Sequence, residues 1–340
     1  MENREVKIKE ILNNLGEKNY RLTQITDAIY KNDKINSYSQ MFMIPQKLRE
    51  ELTYQMGDSI FSLREIAKQR AGETEKFVFE TNDGHKIETV KMHYEEGRNT
   101  YCLSVQAGCG MNCAFCATGK MGLKRNLTVD EIIDQVLYLK KKGYAIDNIV
   151  FMGMGEPFAN PATFDALEIL VDQKKMGIGQ RHISVSTVGI VPGIRKMTEE
   201  QPQINLAFSL HSPFQEERER IMPIFKTYPI TDVMDALVDH IKVTKRKVFI
   251  VYTLLGGVND TSIHAKALAE LLNSYKNASY LFHVNLINYH EIAGEKFKKS
   301  STADVKTFRE ILKNKGVVNT LRQDFGESID AACGQLSGKN

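Results

Sequence analysis

Three cysteines stand close together in the stretch CGMNCAFC, where Cys109, Cys113 and Cys116 follow a run of β-forming residues. Three thiolates on one tight loop can bind three corners of a cubane iron–sulfur cluster and leave the fourth iron without a protein ligand. An open iron position is a site for chemistry. A structural zinc site is the alternative, but it prefers four closed ligands, and no fourth cysteine or histidine lies at zinc spacing nearby. The spacing therefore favours an iron–sulfur cluster over zinc.

Two further cysteines lie outside this loop. Cys333 stands in the terminal stretch DAACGQLSGKN, where a thiol is a liability unless it has a task. Cys102 shares its parity with Ser104 and Gln106, so on a strand these side chains point to one face. A small buried core cysteine is the other interpretation of Cys102. About ten residues separate the last predicted strand from Cys333, and they can span up to about 33 Å.

The elements that must position these cysteines alternate between strand and helix from about residue 100 onward. A capping box formed by Thr128 and Glu131 opens one of the helices. This alternation predicts parallel βαβ units, and six or seven strands favour an open (β/α) barrel over a doubly wound sheet. In such barrels the chemistry lies where strands end and loops begin. The predicted strands cover residues 100–106, 148–154, 182–188, 205–211, 247–255, 280–289 and 317–323.

The first hundred residues have a different pattern. They begin with short amphipathic helices and end with two alternating runs joined by Asn82-Asp83-Gly84, which is a hairpin signal. The fold class we predict is α/β, with a small helical domain and a bridging β-hairpin before the barrel. The predicted ranges are 1–75 for a helical accessory domain, 76–99 for the hairpin, 100–323 for the barrel and 324–340 for the C-terminal tail.

Composition indicates a folded, soluble protein. Of the 340 residues, 42% are apolar and 26% are charged, and no run of about 18 apolar residues occurs. The start of the chain is polar, so we expect neither a signal peptide nor a membrane span, and a cytoplasmic location. The formal net charge of +3 does not by itself indicate nucleic acid. Basic clusters such as GKMGLKRN are most often solvated loops or helix ends.

The spacing Cys-x3-Cys-x2-Cys, with Phe115 before the third cysteine, resembles the radical S-adenosylmethionine (SAM) superfamily. The stretches SVQAGCGMNCAFCATG, MGMGEP, SVSTVGIVP, FSLHSP, GGVND and IDAACGQL together resemble the Cfr/RlmN family. Members of that family methylate an adenosine at the peptidyl-transferase centre of 23S rRNA. The resemblance implies a partial (β/α)6 barrel, a [4Fe-4S] cluster held by the three loop cysteines, and two SAM molecules per turnover. It also implies a monomer that acts on protein-free or early-assembly 23S rRNA with a reducing partner such as flavodoxin. The helical domain at 1–75 would then bind RNA.

The resemblance also implies roles for the other two cysteines. Carbons 2 and 8 of adenine are poor nucleophiles, so a polar displacement on the SAM methyl group fails and a positioned carbon radical is needed. Members of the family first methylate the cysteine that matches Cys333. The S-methyl radical then joins adenine to the protein, and a second thiol, here matched by Cys102, releases the product and leaves a disulfide. Glu88 matches the proton acceptor, although a lone strand glutamate usually faces solvent.

Several residues match the family's SAM contacts. Gly155 lets the backbone approach a ligand closely, and Glu156 offers a carboxylate to the SAM ammonium group. Where the family has an asparagine, this chain has His290, whose imidazole cannot offer the donor and acceptor pair of an amide. The remaining matches lie at strand ends, where core packing is the other interpretation: Ser186, Ser209, Leu210 and His211.

Two branches of the family differ in the ring carbon that they methylate. FSLHSP, VKMHY, HVNLINY and RQDFGESIDAAC resemble the Cfr branch, which makes 8-methyladenosine and confers resistance to ribosome-directed antibiotics, whereas GEP points towards the other branch. That housekeeping branch makes 2-methyladenosine and also acts on tRNA. We favour carbon-8. A non-catalytic RNA-binding protein with a structural metal loop is the alternative from another class, but it gives Cys102 and Cys333 no joint role.

Overall fold

The chain opens with three helices that share one apolar core. The computed structural model describes residues 3–223, 227–292 and 295–338. In the first helix Ile8, Ile11 and Leu12 recur at helical spacing and are buried. The three helices are α1 (Arg4–Asn14), α2 (Tyr20–Tyr30) and α3 (Gln46–Met56).

Three antiparallel strands follow these helices. The turn predicted at Asn82-Asp83-Gly84 joins the second strand to the third, and Gly84 adopts a φ of 82°, which favours glycine. The bridging hairpin is therefore confirmed. The strands are β1 (Leu63–Ala71), β2 (Thr74–Thr81) and β3 (Lys86–His93).

The position of β1 corrects the predicted boundary between residues 75 and 76. β1 lies inside the range predicted to be helical, and it pairs with β2 so that Leu63 faces Thr81 and Ala71 faces Thr74. The boundary therefore cuts through a hairpin. β1 is an edge strand with the charge-rich sequence LREIAKQRA, so it lacks the clean alternation that identifies a half-buried strand.

The first predicted barrel strand is interrupted at residues 103–105, before the cysteine loop. That strand, predicted over 100–106, is divided into β4 (Asn99–Cys102), which pairs with β3, and β5 (Gln106–Gly108), which forms a separate hairpin with β6 (Leu123–Asn126). The loop between β5 and β6 carries the three cysteines and the short helix α4 (Ala117–Lys120).

Helices and strands alternate through the rest of the chain. The capping box at Thr128 is confirmed, because its hydroxyl accepts from the Glu131 N–H and the Glu131 carboxylate accepts from the Thr128 N–H. In chain order the elements are α5 (Val129–Lys141), β7 (Asn148–Phe151), α6 (Ala162–Val171), β8 (Ile183–Thr187), α7 (Val191–Glu200), β9 (Asn205–Ser209), α8 (Gln215–Ile221), α9 (Ile230–Thr244), β10 (Val248–Leu254), α10 (Ser262–Ser274), β11 (Phe282–Asn288), α11 (Thr302–Asn314) and β12 (Asn319–Leu321).

The large sheet has the strand order β1-β2-β3-β4-β7-β8-β9-β10-β11-β12 over the described ranges. From β4 to β12 each strand pairs in parallel with the next, and α5, α6, α7, α9, α10 and α11 make the six crossovers. The strands lie side by side in the same order as they occur along the chain. In a doubly wound sheet the strand order instead reverses direction at one point. The α/β fold with a partial (β/α)6 barrel is confirmed.

The N-terminal helices are anchored directly on the barrel. Buried Arg4 forms an ion pair with buried Asp134 of α5, with 2.6 Å between Nη2 and Oδ2. The Lys141 ammonium, at the other end of α5, donates to the carbonyls of Asn32 and Ile35. One continuous apolar cluster extends from these helices into the first half of the barrel. In the described part of the chain, every helix is too short or too polar to cross a bilayer.

Candidate active site

The cysteine loop is fixed at its base and in its middle by backbone hydrogen bonds. The Cys109 N–H donates to the carbonyl of Gly122, and the Ala114 N–H donates to the carbonyl of Ile221 at the end of α8. Gly108 has a φ of 77°, and a Cβ there would lie 1.9 Å from the Gly122 oxygen. The sharp turn into the loop therefore requires glycine.

All three loop thiols line one cavity at the carboxyl ends of the parallel strands, which we call the cluster cavity. In the described residues, no three His, Cys, Asp or Glu side chains are grouped around a point where one metal ion could bind. In a cubane cluster each cysteine thiolate binds a different iron. The cysteine sulfurs therefore do not converge on one point as zinc ligands do. The donor set therefore fits a [4Fe-4S] cluster, which these three cysteines would hold.

The loop thiols are neutral in the absence of metal. Burial raises the pKa of Cys109 to about 12 and also raises the pKa of Cys113 and Cys116. The other two thiols raise the pKa of Cys113 further. Because iron binds thiolates, assembly of the cluster must release these protons.

Glu156 is the buried carboxylate of the cluster cavity. The Thr187 hydroxyl donates to its Oε1 at 2.6 Å and the Val188 N–H donates to its Oε2 at 2.9 Å, while the Phe158 N–H donates to Oε1 at 3.2 Å. Burial nevertheless raises the pKa of Glu156 to about 7, because these donors offset only part of the desolvation. The carboxylate is thus oriented, and a cationic ligand would stabilise its charge.

The other predicted strand-end residues divide into two groups. Gly155, Ser186 and Ser209 line the cluster cavity, with the two hydroxyl oxygens 3.2 Å apart. A Cβ at Gly155 would lie 2.6 Å from the Gln106 side chain, so this turn too requires glycine. Leu210 does not line the cavity, because its side chain is buried in the second apolar cluster of the barrel.

His211 presents a defined tautomer to the cluster cavity. Its Nδ1 accepts a hydrogen bond from the Thr253 N–H at 2.9 Å, which leaves the proton of the neutral ring on Nε2. Burial, aided by the charge of Arg218, lowers the pKa of His211 to about 3. The ring packs edge-on against Phe115 of the cysteine loop. His211 is therefore a neutral hydrogen-bond donor at this site.

A second cavity, which we call the tail cavity, brings Cys102 and Cys333 together. Cys102 is buried at the end of β4, and Cys333 is exposed in the tail. Burial raises the pKa of Cys102 to about 12, and a charge on Cys333 would raise it further. Cys333 lines both cavities, as does Cys116. The tail thiol thus lies at the boundary between the cluster cavity and the buried thiol.

The tail is held in this position by contacts with the cysteine loop. The Ala117 N–H donates to the carbonyl of Gly334 at 2.7 Å, and the Thr118 hydroxyl donates to the carbonyl of Leu336 at 2.5 Å. A Cβ at Gly326, which has a φ of 68°, would lie 2.7 Å from Ala331. The tail therefore folds back through a tight turn and docks beside Cys116.

Glu88 is fully buried on β3 rather than facing solvent. Its Oε2 accepts from the Ser337 N–H of the tail at 3.1 Å, and its Oε1 lies 3.5 Å from the Lys76 ammonium. Burial raises the pKa of Glu88, although Lys76 and the tail N–H groups oppose this. The tail thus covers the carboxylate in this state, and the role of Glu88 as a proton acceptor stays a prediction.

The structure places His290 in the tail cavity, outside the lining of the cluster cavity. The imidazole lies between two carboxylates of the tail. Its Nε2 is 3.3 Å from Asp324 Oδ1, and its Nδ1 is 3.4 Å from Glu327 Oε1. Its direct contacts are with the tail, and the predicted contact with SAM stays untested.

Sequence reasoning gave no role to two residues of the site, Gln106 and Arg322. The Gln106 side chain accepts from the Glu156 N–H at 2.9 Å and donates to Asn126, so it fixes the turn that presents Glu156. Its parity with Cys102 was the available signal. Arg322 lines the tail cavity from the end of β12, and nothing in its local sequence distinguishes it from a solvated arginine.

Three comparisons with known proteins agree with this geometry. The Radical SAM superfamily matches residues 103–268. "Ribosomal RNA large subunit methyltransferase Cfr" from Staphylococcus aureus is 46% identical over 334 residues, covering 98% of this chain and 95% of the relative. The protein of the same name from Clostridium botulinum (strain Langeland / NCTC 10281 / Type F) is 44% identical over 334 residues, covering 98% and 97%.

A solved structure extends the similarity to three dimensions. The crystal structure of a radical SAM methyltransferase from Sphaerobacter thermophilus matches with a TM-score of 0.91 and 38% identity, covering 98% of each chain. The aligned region covers nearly the whole chain and so includes the barrel, the cysteine loop and the tail. The chain therefore belongs to the Cfr/RlmN family of radical SAM methyltransferases.

Proposed function

We propose that this protein is a radical SAM methyltransferase of ribosomal RNA that methylates carbon-8 of an adenosine in the peptidyl-transferase centre of 23S rRNA. Membership of the family implies a [4Fe-4S] cluster and SAM. Ribosomal RNA is the substrate named for the relatives that are 44–46% identical. The observation that carries the proposal is the position of Cys333, which lines both the cluster cavity and the tail cavity.

Each group at the site has a task in this reaction. The cluster and SAM, when bound, supply the 5′-deoxyadenosyl radical that adenine chemistry at a carbon requires. Glu156 and the Ser186 and Ser209 hydroxyls would orient SAM, and the neutral His211 would donate one hydrogen bond to it. Cys333 would first accept a methyl group and then, after loss of one hydrogen atom, join that carbon to adenine.

Glu88 and Cys102 would act when the product is released. Glu88 would take the ring proton, which requires the tail residue Ser337 to leave its carboxylate first. The radical adduct would also lose one electron, which a bound oxidised cluster would accept, so that a closed-shell thioether results. The Cys102 thiolate would then attack the sulfur of Cys333. The S–S bond forms while the bond between sulfur and the methylene carbon breaks, and that carbon keeps the electron pair and takes a proton. A dithiol reductant would return the disulfide to two thiols.

We extend the proposal to the partners and the biological outcome. Two SAM molecules would be used per turnover, one as methyl donor and one as radical source. The enzyme would act in the cytoplasm as a monomer on protein-free or early-assembly 23S rRNA, with a flavodoxin-like electron donor. Methylation at carbon-8 would confer resistance to antibiotics that bind the peptidyl-transferase centre.

Phosphate contacts would come from fewer loop residues than the basic clusters indicate. Arg125 forms ion pairs with Asp83 and Glu131, at 2.6 and 2.7 Å, and Lys120 pairs with Glu295. Lys124 is exposed. It is therefore the residue of this loop that we expect to contact an RNA phosphate.

The two thiols provide the decisive test. With reconstituted protein, SAM, reductant and a 23S rRNA transcript, Cys333→Ala should give no methylated protein, no adduct and no product. Cys102→Ala should still accept a methyl group on Cys333 and add to adenine, but it should remain joined to RNA. The measurement is a protein band that co-migrates with RNA after denaturation and collapses on nuclease treatment. Normal turnover by Cys102→Ala, or trapping by Cys333→Ala, would contradict these roles.

The second candidate function is a carbon-2 methyltransferase that also acts on tRNA. Analysis of the methylated product distinguishes it from the carbon-8 enzyme. The name Cfr of the similar proteins supports the carbon-8 branch, while GEP at Gly155 to Pro157 resembles the other. Nucleosides from the methylated rRNA are compared by mass spectrometry with 8-methyladenosine and 2-methyladenosine standards. We expect 8-methyladenosine, and 2-methyladenosine would support the second candidate. A colourless protein that binds zinc and does not cleave SAM would instead support a non-catalytic RNA-binding protein.

A further inference from the structure

Arg322 reaches across the mouth of the barrel to the buried thiol. It follows β12, the last strand of the sheet, and its N–H donates to the Leu286 carbonyl of β11. Its guanidinium Nη1 donates to the sulfur of Met152, at 3.5 Å, just after β7. The side chain therefore spans from the far edge of the sheet to the strand that pairs with the Cys102 strand.

Arg322 carries the only guanidinium or ammonium group in the lining of the tail cavity, among the residues that the structure describes. The titratable groups that share this lining with Cys102 are Cys116, His290, Asp324 and Cys333. Most of the other lining residues are apolar, among them Val90, Val150 and Ile287. A thiolate formed in these surroundings has Arg322 as its source of fixed positive charge.

The proposed function requires a thiolate at Cys102, yet burial works against one. Burial raises the pKa of Cys102 to about 12, and the Met152 N–H and the charge of Arg322 oppose that rise. A negative charge on Cys333 also raises it. Once Cys333 is alkylated its sulfur is an uncharged thioether, so this repulsion disappears at the stage when the Cys102 thiolate is needed. The attraction of Arg322 remains.

We propose that Arg322 is a positioning residue for the resolving step, and that it stabilises the Cys102 thiolate while that sulfur attacks the alkylated Cys333. The inference rests on the proposed function. In the step, the new S–S bond forms as the S–C bond to the methylated adenine breaks, and the carbon takes up the electron pair and a proton. Arg322 exchanges no atom or electron and acts through its charge alone.

The first test measures formation and decay of the adduct between protein and RNA in a single turnover. Arg322→Met should form the adduct at near the unmodified rate but release it about tenfold more slowly, because a neighbouring cation lowers a thiol pKa by about one unit or more. Arg322→Lys should restore most of the rate. Arg309→Met, which removes an exposed arginine of α11 outside both cavities, should behave like the unmodified protein.

The second test needs neither RNA nor the loaded cluster. In a Cys333→Ala background, the alkylation rate of Cys102 by iodoacetamide is followed by peptide mass spectrometry from pH 7 to 10. Arg322→Met should slow alkylation about tenfold at pH 8 and shift its pH profile upward, and Arg322→Lys should not. A structural role for Arg322 would instead raise the reactivity of Cys102 by exposing it.

The outcomes distinguish this inference from the proposed function. If Cys102→Ala fails to trap RNA, the proposed function fails. If Cys102→Ala traps RNA while Arg322→Met releases its adduct normally and leaves Cys102 alkylation unchanged, only the role of Arg322 is overturned. Slower formation of the adduct with normal release would also overturn it, because Arg322 would then act on RNA binding.

Discussion

At the scale of single residues, burial determines the chemistry of the site. Glu156, His211 and Cys102 are all buried, and in each case desolvation is the largest cause of the pKa shift. Desolvation favours the neutral form, so the carboxyl and thiol become weaker acids and the imidazole stays unprotonated. A ligand or neighbour with the right charge is therefore needed to ionise Glu156 and Cys102.

The first prediction is a pH dependence of SAM binding. The pKa of Glu156 is about 7 without SAM. A carboxylate with a raised pKa is protonated below that value, so affinity for the SAM ammonium should rise several-fold between pH 6 and 7.5 and then level off. Glu156→Gln should weaken binding by about 2 kcal/mol at pH 7.5 and remove the pH dependence.

Calorimetric titration of the reconstituted protein with SAM checks this prediction. Glu168→Gln, an exposed position on α6, is the matched control and should keep both affinity and pH profile. A flat affinity across this pH range in the unmodified protein would remove Glu156 from the SAM contacts.

At the scale of elements, the tail is positioned by the same loop that carries the three cysteines. Ala117 and Thr118, which directly follow Cys116, hold the carbonyls of Gly334 and Leu336. Ser337 in turn covers Glu88. The proposed methyl-accepting thiol, the cysteines that would hold the cluster and the proposed proton acceptor are therefore coupled through one short segment.

The second prediction concerns this docking. Thr118→Val removes the hydroxyl that donates to Leu336 and leaves that carbonyl unpaired, at a cost of about 1 kcal/mol. The open form of the tail should become about fivefold more populated. Hydrogen exchange of the amides from 334 to 338 should speed up accordingly in RNA-free protein. Thr231→Val on α9 is the control, and identical exchange in the two variants would contradict the docking contact.

At the scale of the whole molecule, the N-terminal helices and the barrel share one core. Arg4 and Asp134 are both buried, and they join α1 to α5. The Ser62 N–H, just before β1, donates to the same carboxylate. The helices are therefore held in a fixed orientation to the mouth of the barrel. The proposed delivery of one adenosine to that mouth requires such a fixed orientation of any RNA-binding surface.

The third prediction tests this anchoring. Arg4→Leu leaves the Asp134 carboxylate buried without its ion-pair partner, so the free energy of unfolding should fall by about 3–5 kcal/mol. Urea unfolding followed by circular dichroism measures this. Lys9→Ala, which removes an exposed pair with Glu5, should change it by less than about 1 kcal/mol. Equal losses in the two variants would show that the Arg4 pair does not anchor the helices.

Features that depend on local pattern could be predicted from the amino-acid sequence. Strand and helix periodicity predicted the elements of the barrel, and the turn sequence Asn82-Asp83-Gly84 predicted the hairpin that precedes it. The spacing of the three loop cysteines predicted the cluster loop. These signals are local because periodicity, turn geometry and metal-ligand spacing are properties of short segments. The edge strand β1 was missed because its charged sequence lacks such a period.

Which distant residues meet depends on long-range packing, and the folded chain was needed to see it. Cys102 and Cys333 are separated by most of the barrel, yet they line one cavity because the tail folds back over the strand ends. Glu88 has the sequence context of a solvent-facing strand residue, but it is fully buried and contacts Lys76 of β2 and Ser337 of the tail. Arg322 and His290 face the same thiols from the far edge of the sheet. Burial and charge at such sites arise from long-range packing, which no local pattern encodes.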